Sequence, residues 1–250
     1  MSPNETSSPD GWSFITVSHK PTLVETLRSS LSACMGSLPW ELVAVDGTRH
    51  DLFTGYNEGA GRARYDRLVF IHHDVVVLGN HVALEPLRQA IDDDTAGVTG
   101  VIGVRFLMPS GTWWGGNVPQ QMTFGLSRGM AMHPEPSAEM NVTWNVWPGG
   151  LALFGQVIVV DGVVLACHRR TFNRLGGFDA LNFKGFHFYD VDFSLRAHLL
   201  GLRNSVVPFP IRHASRGAYD EKWEACRQAF VRKHARSLPI ALPADNVRFH

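Results

Sequence analysis

Cysteine is scarce in this chain. The three present, Cys34, Cys167 and Cys226, are odd in number and far apart. They form neither a disulfide framework nor a paired-cysteine zinc pattern, and a reducing cytoplasm is the expected compartment. An excess of one charge is also lacking. The 23 Lys and Arg balance the 23 Asp and Glu, without a long charge run, so no nucleic-acid partner is expected. Long apolar runs are missing too. The most apolar late stretch, 151–167, is interrupted by Gly155, Asp161 and Gly162 and is too broken for a membrane span. Peripheral contact with a membrane stays open. The opening MSPNETSSPD is polar and lacks the apolar core of a signal peptide. Residues 1–10 are expected to be a disordered tail.

What is present suffices for a core. The chain has 250 residues, 44% hydrophobic and only 18% charged, which suits one large folded domain or two small ones. The stretch LVFIHHDVVVL, residues 68–78, reads as a buried strand broken by His72-His73-Asp74. A continuous apolar run fits a strand covered on both faces, as in a parallel α/β sheet. Ahead of it, WSFITV (12–17) and 41–45 read as strands. Between them Pro21 opens a helix carrying Leu23, Leu27, Leu31 and Met35 at helical spacing. YNEGAGRARY, 56–65, reads as a glycine-bearing turn running into a short helix. A helix near 81–91 and a strand near 96–104 follow. Strands alternating with helices predict βαβ units and a mostly parallel central sheet flanked by helices.

The character changes after about Phe106. Residues 106–156 carry Trp113, Trp114, Trp144 and Trp147, with many glycines and several prolines. That is too long for an ordinary connection and predicts a functional lid or an insertion. Regularity returns with a strand over 157–167, a helix over 168–175, a helix opened by Asp190, a strand over 205–210 and a helix over about 220–235. There is no internal repeat.

In parallel sheets ligands bind beyond the carboxyl ends of the strands. His72 and Asp74 stand at such a place and make a candidate metal or phosphate site. The competing reading is a core histidine and a turn-capping acid. His213 follows another strand end and is a further candidate ligand, or a loop histidine. Oxygen and imidazole donors suit Mg²⁺ or Mn²⁺. Asp46 either receives hydrogen bonds from a base or ribose or forms an Asp-Gly turn. The 57–64 segment fits neither the dinucleotide fingerprint nor a Walker A loop. Asn57 and Arg64 remain candidates for nucleotide contact. Asp190 as an N-cap is expected to face a cleft, with Asp192 in the first turn; capping alone accounts for an Asp at this place without any catalysis.

Taken in order, ITVSHKPTLVETLRSSL, ELVAVDG, YNEGAGRAR, LVFIHHDV, VDGVVLACHRRTFNRLGGFD, GFHFYDVDFSLRAHLLG and PFPIRHASRG resemble the inverting, GT-A-fold glycosyltransferases of family 2 and related families. The resemblance implies a single GT-A domain over 11–250. Its half 11–105 would bind a nucleotide sugar and its half 106–250 the acceptor. It implies that Asp46 binds the base, usually uracil, and that Asp74 reaches the ribose or the metal and diphosphate. His213 and His72 would be further ligands of Mn²⁺ or Mg²⁺, and Asp190 the general base. Trp113, Trp114, Asp161 and Asp192 fall on the acceptor side. Two departures stand out. His72 occupies the first acidic place of the family's DXD motif, and Tyr189 the place of a Glu before Asp190. They keep open an alternative, a module of the same fold that binds nucleotide sugars or glycans without turnover.

Overall fold

The computed structural model describes residues 10–112, 127–134, 142–144, 154–215 and 219–243. Trp113, Trp114 and Trp147 lie outside the described residues, as does the proposed 1–9 part of the tail. The first part alternates strand and helix: β1 (Trp12–Ser18), α1 (Pro21–Met35), β2 (Trp40–Asp46), α2 (Leu52–Arg62), β3 (Arg67–Ile71), β4 (Val75–Val77), α3 (Glu85–Asp92) and β5 (Ala96–Gly100). Short strands follow: β6 (Ile102–Val104), β7 (Phe106–Leu107), β8 (Ser127–Gly129), β9 (Met132–Pro134), β10 (Val142–Trp144), β11 (Gly155–Val157) and β12 (Val159–Val160). Then come β13 (Val164–His168), α4 (Arg169–Leu175), α5 (Tyr189–Leu199), β14 (Arg203–Val206), β15 (Ile211–His213), α6 (Glu221–His234) and β16 (Ile240–Ala241).

Seven strands form the central sheet in the order β11-β14-β5-β13-β3-β1-β2. β1 is parallel to β2 and β3, and β14 is parallel to β5. β13 runs antiparallel between β3 and β5. The apolar run of β3 has the expected cause. Leu68 and Phe70 enter one core cluster and Val69 and Ile71 the other, so both faces of the sheet are covered. All four side chains are fully enclosed, and each such burial stabilises by roughly 1.5–3 kcal/mol.

α1 starts at Pro21, buries Leu27, Leu31, Cys34 and Met35, and ends at Gly36 with φ 57°. α2 differs from expectation. It begins at Leu52, earlier than the predicted turn, capped by Asp51, which accepts the Thr54 N–H at 2.9 Å. Its glycines do not make a turn. A Cβ on Gly55 would stand 2.6 Å from Val17 Cγ2, and one on Gly59 would stand 2.3 Å from Ile15 Cγ2. Glycine there lets the helix lie close on β1. The strand expected over 157–167 is three short strands. The Asp161 carboxylate accepts the Val163 N–H at 2.9 Å, and this turn breaks the ladder before β13.

The topology gathers one edge. β1, β2 and β3 run in parallel and deliver Ser18, Asp46 and Ile71 to the same side of the sheet. β13 starts there, since Val164 pairs with Ile71, so the Asp161-Gly162 turn lies on that edge as well. β15 pairs antiparallel with β4 and sets His213 opposite Val75, next to Asp74.

Candidate active site

Four segments meet at this edge: His72-His73-Asp74 after β3, Asp161-Gly162 before β13, Tyr189-Asp190 at the start of α5, and His213 at the end of β15. His72, Asp74 and His213 each offer one ligand atom, and these atoms all lie within 4.8 Å of one another. His213 Nε2 stands 3.3 Å from Asp74 Oδ1, 3.2 Å from His72 Nδ1 and 3.1 Å from Ser215 Oγ. Burial pushes the Asp74 carboxyl up, but the hydrogen bond and charge of His213 outweigh it and hold the group below the usual carboxylate range. Burial, followed by the charge of His213, lowers His72 to about 3. His72 is therefore a neutral imidazole at pH 7, the form that ligates metals. Two imidazoles and one carboxylate are a donor set that could hold a divalent metal ion. His73 is used elsewhere, with Nδ1 3.2 Å from the Val17 carbonyl.

The cap before Asp190 lies two residues earlier than expected. Phe188 is the N-cap of α5, at φ 64°, the one non-glycine residue with a left-handed backbone among the described residues. Such a backbone costs on the order of 1–3 kcal/mol and must be held by its surroundings. The Phe188 ring packs on Trp223 and Phe230, with centroids 5.6 and 5.3 Å away. This turn places Asp190 in the first turn of α5, with 6% of its surface exposed. Its Oδ2 accepts the Gly162 N–H at 2.8 Å. Burial, followed by the charge of Asp161, raises its carboxyl to about 7. A carboxylate poised there is suited to proton transfer near neutral pH.

Tyr189 joins the two groups. Its hydroxyl lies 2.6 Å from His72 Nε2 and donates to the Gly162 carbonyl at 2.9 Å. Gly162 is thus held at its N–H by Asp190 and at its C=O by Tyr189. Fully buried Tyr56 packs beside Tyr189, with ring centroids 5.6 Å apart. Burial pushes its phenol far up, and the charges of Asp190 and Asp74 both add to the rise.

The other expected residues divide. Asp46 is exposed at the end of β2, and its Oδ1 accepts from the Thr48 N–H at 2.9 Å and the Thr48 hydroxyl at 2.7 Å. These bonds hold its carboxyl below the usual range. Asp161 precedes Gly162 and sits beside Asp190. Three others have partners of their own within the fold. Asn57 is a tether: its amide donates to the Phe178 carbonyl and accepts the Phe178 N–H, both at 2.8 Å. Arg64 lies at the opposite edge, where its Nε meets Glu41 Oε2 at 2.9 Å near the start of β2. Asp192 is fully enclosed and bonded to Arg196 at 2.8 Å, Lys233 at 2.6 Å and His234 at 2.8 Å, so no acceptor touches it. Sequence reasoning missed Tyr189 and Gly162 as site residues. The Tyr189–His72 contact spans 117 positions and leaves no local trace.

A model of the glycosyltransferase-like family matches residues 15–234, a span that contains every residue of this edge. The chain belongs to that family. Among solved structures, this glycosyltransferase-like chain is similar to GalNAc-T7 with UDP, GalNAc and Mn²⁺. The TM-score is 0.53 at 15% identity, over 88% of this chain and 46% of that one. It is also similar to the mannosyltransferase PcManGT from Pyrobaculum calidifontis in complex with GDP-Man and Mn²⁺. There the TM-score is 0.53 at 13% identity, over 97% of this chain and 68% of that one. These likenesses establish the GT-A fold. A curated relative, "ATP synthase subunits region ORF 6" of Fuscovulum blasticum, is 33% identical over 61 residues, 24% of each chain. The glycosyltransferase-like chain thus spans under half of GalNAc-T7 and matches about a quarter of the curated relative. No helix among the described residues is long and apolar enough to cross a membrane.

Proposed function

We propose that this chain is an inverting glycosyltransferase of the family 2 kind. It would move a sugar from a nucleoside-diphosphate donor, UDP by preference, to a hydroxyl of a glycan or similar acceptor. The observation that carries the reading is the Gly162 stitch. It ties Asp190 on one side and, through Tyr189, His72 on the other, so a proton acceptor and a cation-binding cluster share one edge. Both similar structures hold Mn²⁺ with a nucleotide or nucleotide sugar, which supports the same ligands here.

His72, Asp74 and His213 would hold Mn²⁺, or Mg²⁺ less readily given two imidazoles. A divalent cation held there would balance the charge that grows on a departing diphosphate. Asp46, at the end of β2 on the same edge of the sheet, would meet the nucleobase. Asp190 accepts the proton of the acceptor hydroxyl as its oxygen attacks the anomeric carbon. The carbon–oxygen bond to the diphosphate breaks and the nucleoside diphosphate leaves with the electron pair. Attack from the face opposite the leaving group inverts that carbon. Asp161, beside the base, would orient the acceptor, and Trp113 and Trp114 would offer indole faces to its sugar rings.

The test compares the wild type with Asp190→Asn on UDP- and GDP-sugars. The expected result is a loss of transfer of about 10²–10⁴-fold, with nucleotide binding retained. Full transfer by Asp190→Asn would refute the assignment of the base. Tight donor binding by the wild type with no turnover on a broad acceptor panel would favour a binding module.

A further inference from the structure

We propose that Tyr189 is a positioning residue that fixes His72 as its Nε2–H tautomer and so presents the Nδ1 lone pair to His213 and the cation cluster. The proposal rests on the cation reading of His72, Asp74 and His213. It follows from counting protons. The Tyr189 hydroxyl has one hydrogen, and both the Gly162 carbonyl at 2.9 Å and His72 Nε2 at 2.6 Å stand within its reach. A carbonyl oxygen only accepts, so the phenol proton goes to Gly162. The phenol oxygen then faces His72 with a lone pair, and a contact at 2.6 Å requires a hydrogen on Nε2. The opposite arrangement sets two oxygen lone pairs against each other at 2.9 Å.

A neutral imidazole with its hydrogen on Nε2 has none on Nδ1. That atom lies 3.2 Å from His213 Nε2, on the side of the ring where the ligand atoms gather. Tyr189 is 3% exposed, so water is a poor substitute for its hydroxyl. Gly162 is shaped to the contact. A Cβ there would stand 2.0 Å from the Tyr189 hydroxyl oxygen, and only glycine lets the phenol approach the carbonyl so closely. The ring nitrogen away from a metal commonly bonds a second group that fixes tautomer and ring orientation, and losing that partner weakens metal binding. Here the role falls to the residue next to the base, so one dipeptide, Tyr189-Asp190, holds both halves of the site.

Two measurements test this. In the metal-free wild type, ¹⁵N-histidine NMR, with the His72 signals identified by their loss in His72→Gln, is expected to show hydrogen on Nε2 and none on Nδ1. Mn²⁺ titration followed by electron paramagnetic resonance is expected to show about 10–100-fold weaker binding in Tyr189→Phe than in wild type. Hydrogen on His72 Nδ1 in the wild type, or equal Mn²⁺ affinity in the two proteins, overturns the proposal. The wild-type spectrum decides even if Tyr189→Phe fails to fold. A wild type that binds no Mn²⁺ would sink the cation reading instead, and the tautomer would still decide for or against Tyr189.

Discussion

Asp190 carries two opposing demands. It must lose its proton to act as a base, and its burial beside Asp161 resists that loss. Transfer should therefore rise with pH through about 7 and level off above it, as kcat/KM measured from pH 5 to 9 would show. Stability should move the other way. Between about pH 4 and 7 the unfolded chain has released this proton and the folded chain has kept it, so stability falls as pH rises through that window. Asp190→Asn removes the titration while its amide oxygen can still accept the Gly162 N–H. Urea unfolding should find the variant more stable than wild type at pH 8 by on the order of 2–4 kcal/mol, and by much less at pH 4.5. Equal differences at the two pH values would contradict the raised carboxyl. At this scale the sequence exposed the acids and histidines, because titratable residues at strand ends are conspicuous. It did not expose Tyr189, whose worth lies in a contact rather than in its residue type.

Among the elements, α5 needs an anchor, since its first turn sets Asp190. Asp192 supplies it. This enclosed carboxylate bonds Arg196 on its own helix and Lys233 and His234 on α6. Burial pushes its carboxyl up, yet these hydrogen bonds and charges together hold it below the usual range. Removing Asp192 leaves half-buried Arg196 without its carboxylate, while Lys233 keeps Asp179. Asp192→Ala should cost about 3 kcal/mol in urea unfolding and, by loosening the start of α5 that carries Tyr189 and Asp190, lower both transfer and Mn²⁺ affinity. A cost under about 0.5 kcal/mol would mean that α6 is held by other contacts. The same element shows the limit of local reading. Two acids near a helix start look alike in sequence, but one faces the edge and the other the interior. α2 teaches a similar lesson: Gly59 signalled a turn by type, while its actual service is close packing on Ile15. By contrast, α1 was legible throughout, because Pro21, the leucine spacing and Gly36 all agree.

Across the whole molecule, the parallel run of β1, β2 and β3 explains why distant motifs could be read as one site. Strand ends on one side of a parallel sheet converge wherever they fall in sequence. That rule places Asp46 and Asp74 together, while antiparallel β13 adds Asp161-Gly162. It also explains the misplacement of Arg64, which precedes β3 and so lies at the far edge. On the proposed function, His72, Asp74 and His213 together would hold a cation that in turn holds a nucleoside diphosphate. The most direct measurement is thermal unfolding of wild type and His213→Ala with UDP and GDP, each with and without Mn²⁺. Ligands that bind only the folded chain raise Tm by mass action. The expected result is a rise in wild type that needs both nucleotide and Mn²⁺, larger with UDP, and that is lost in His213→Ala. A nucleotide shift that ignores Mn²⁺ or survives in His213→Ala, or no shift with either nucleotide, would contradict it.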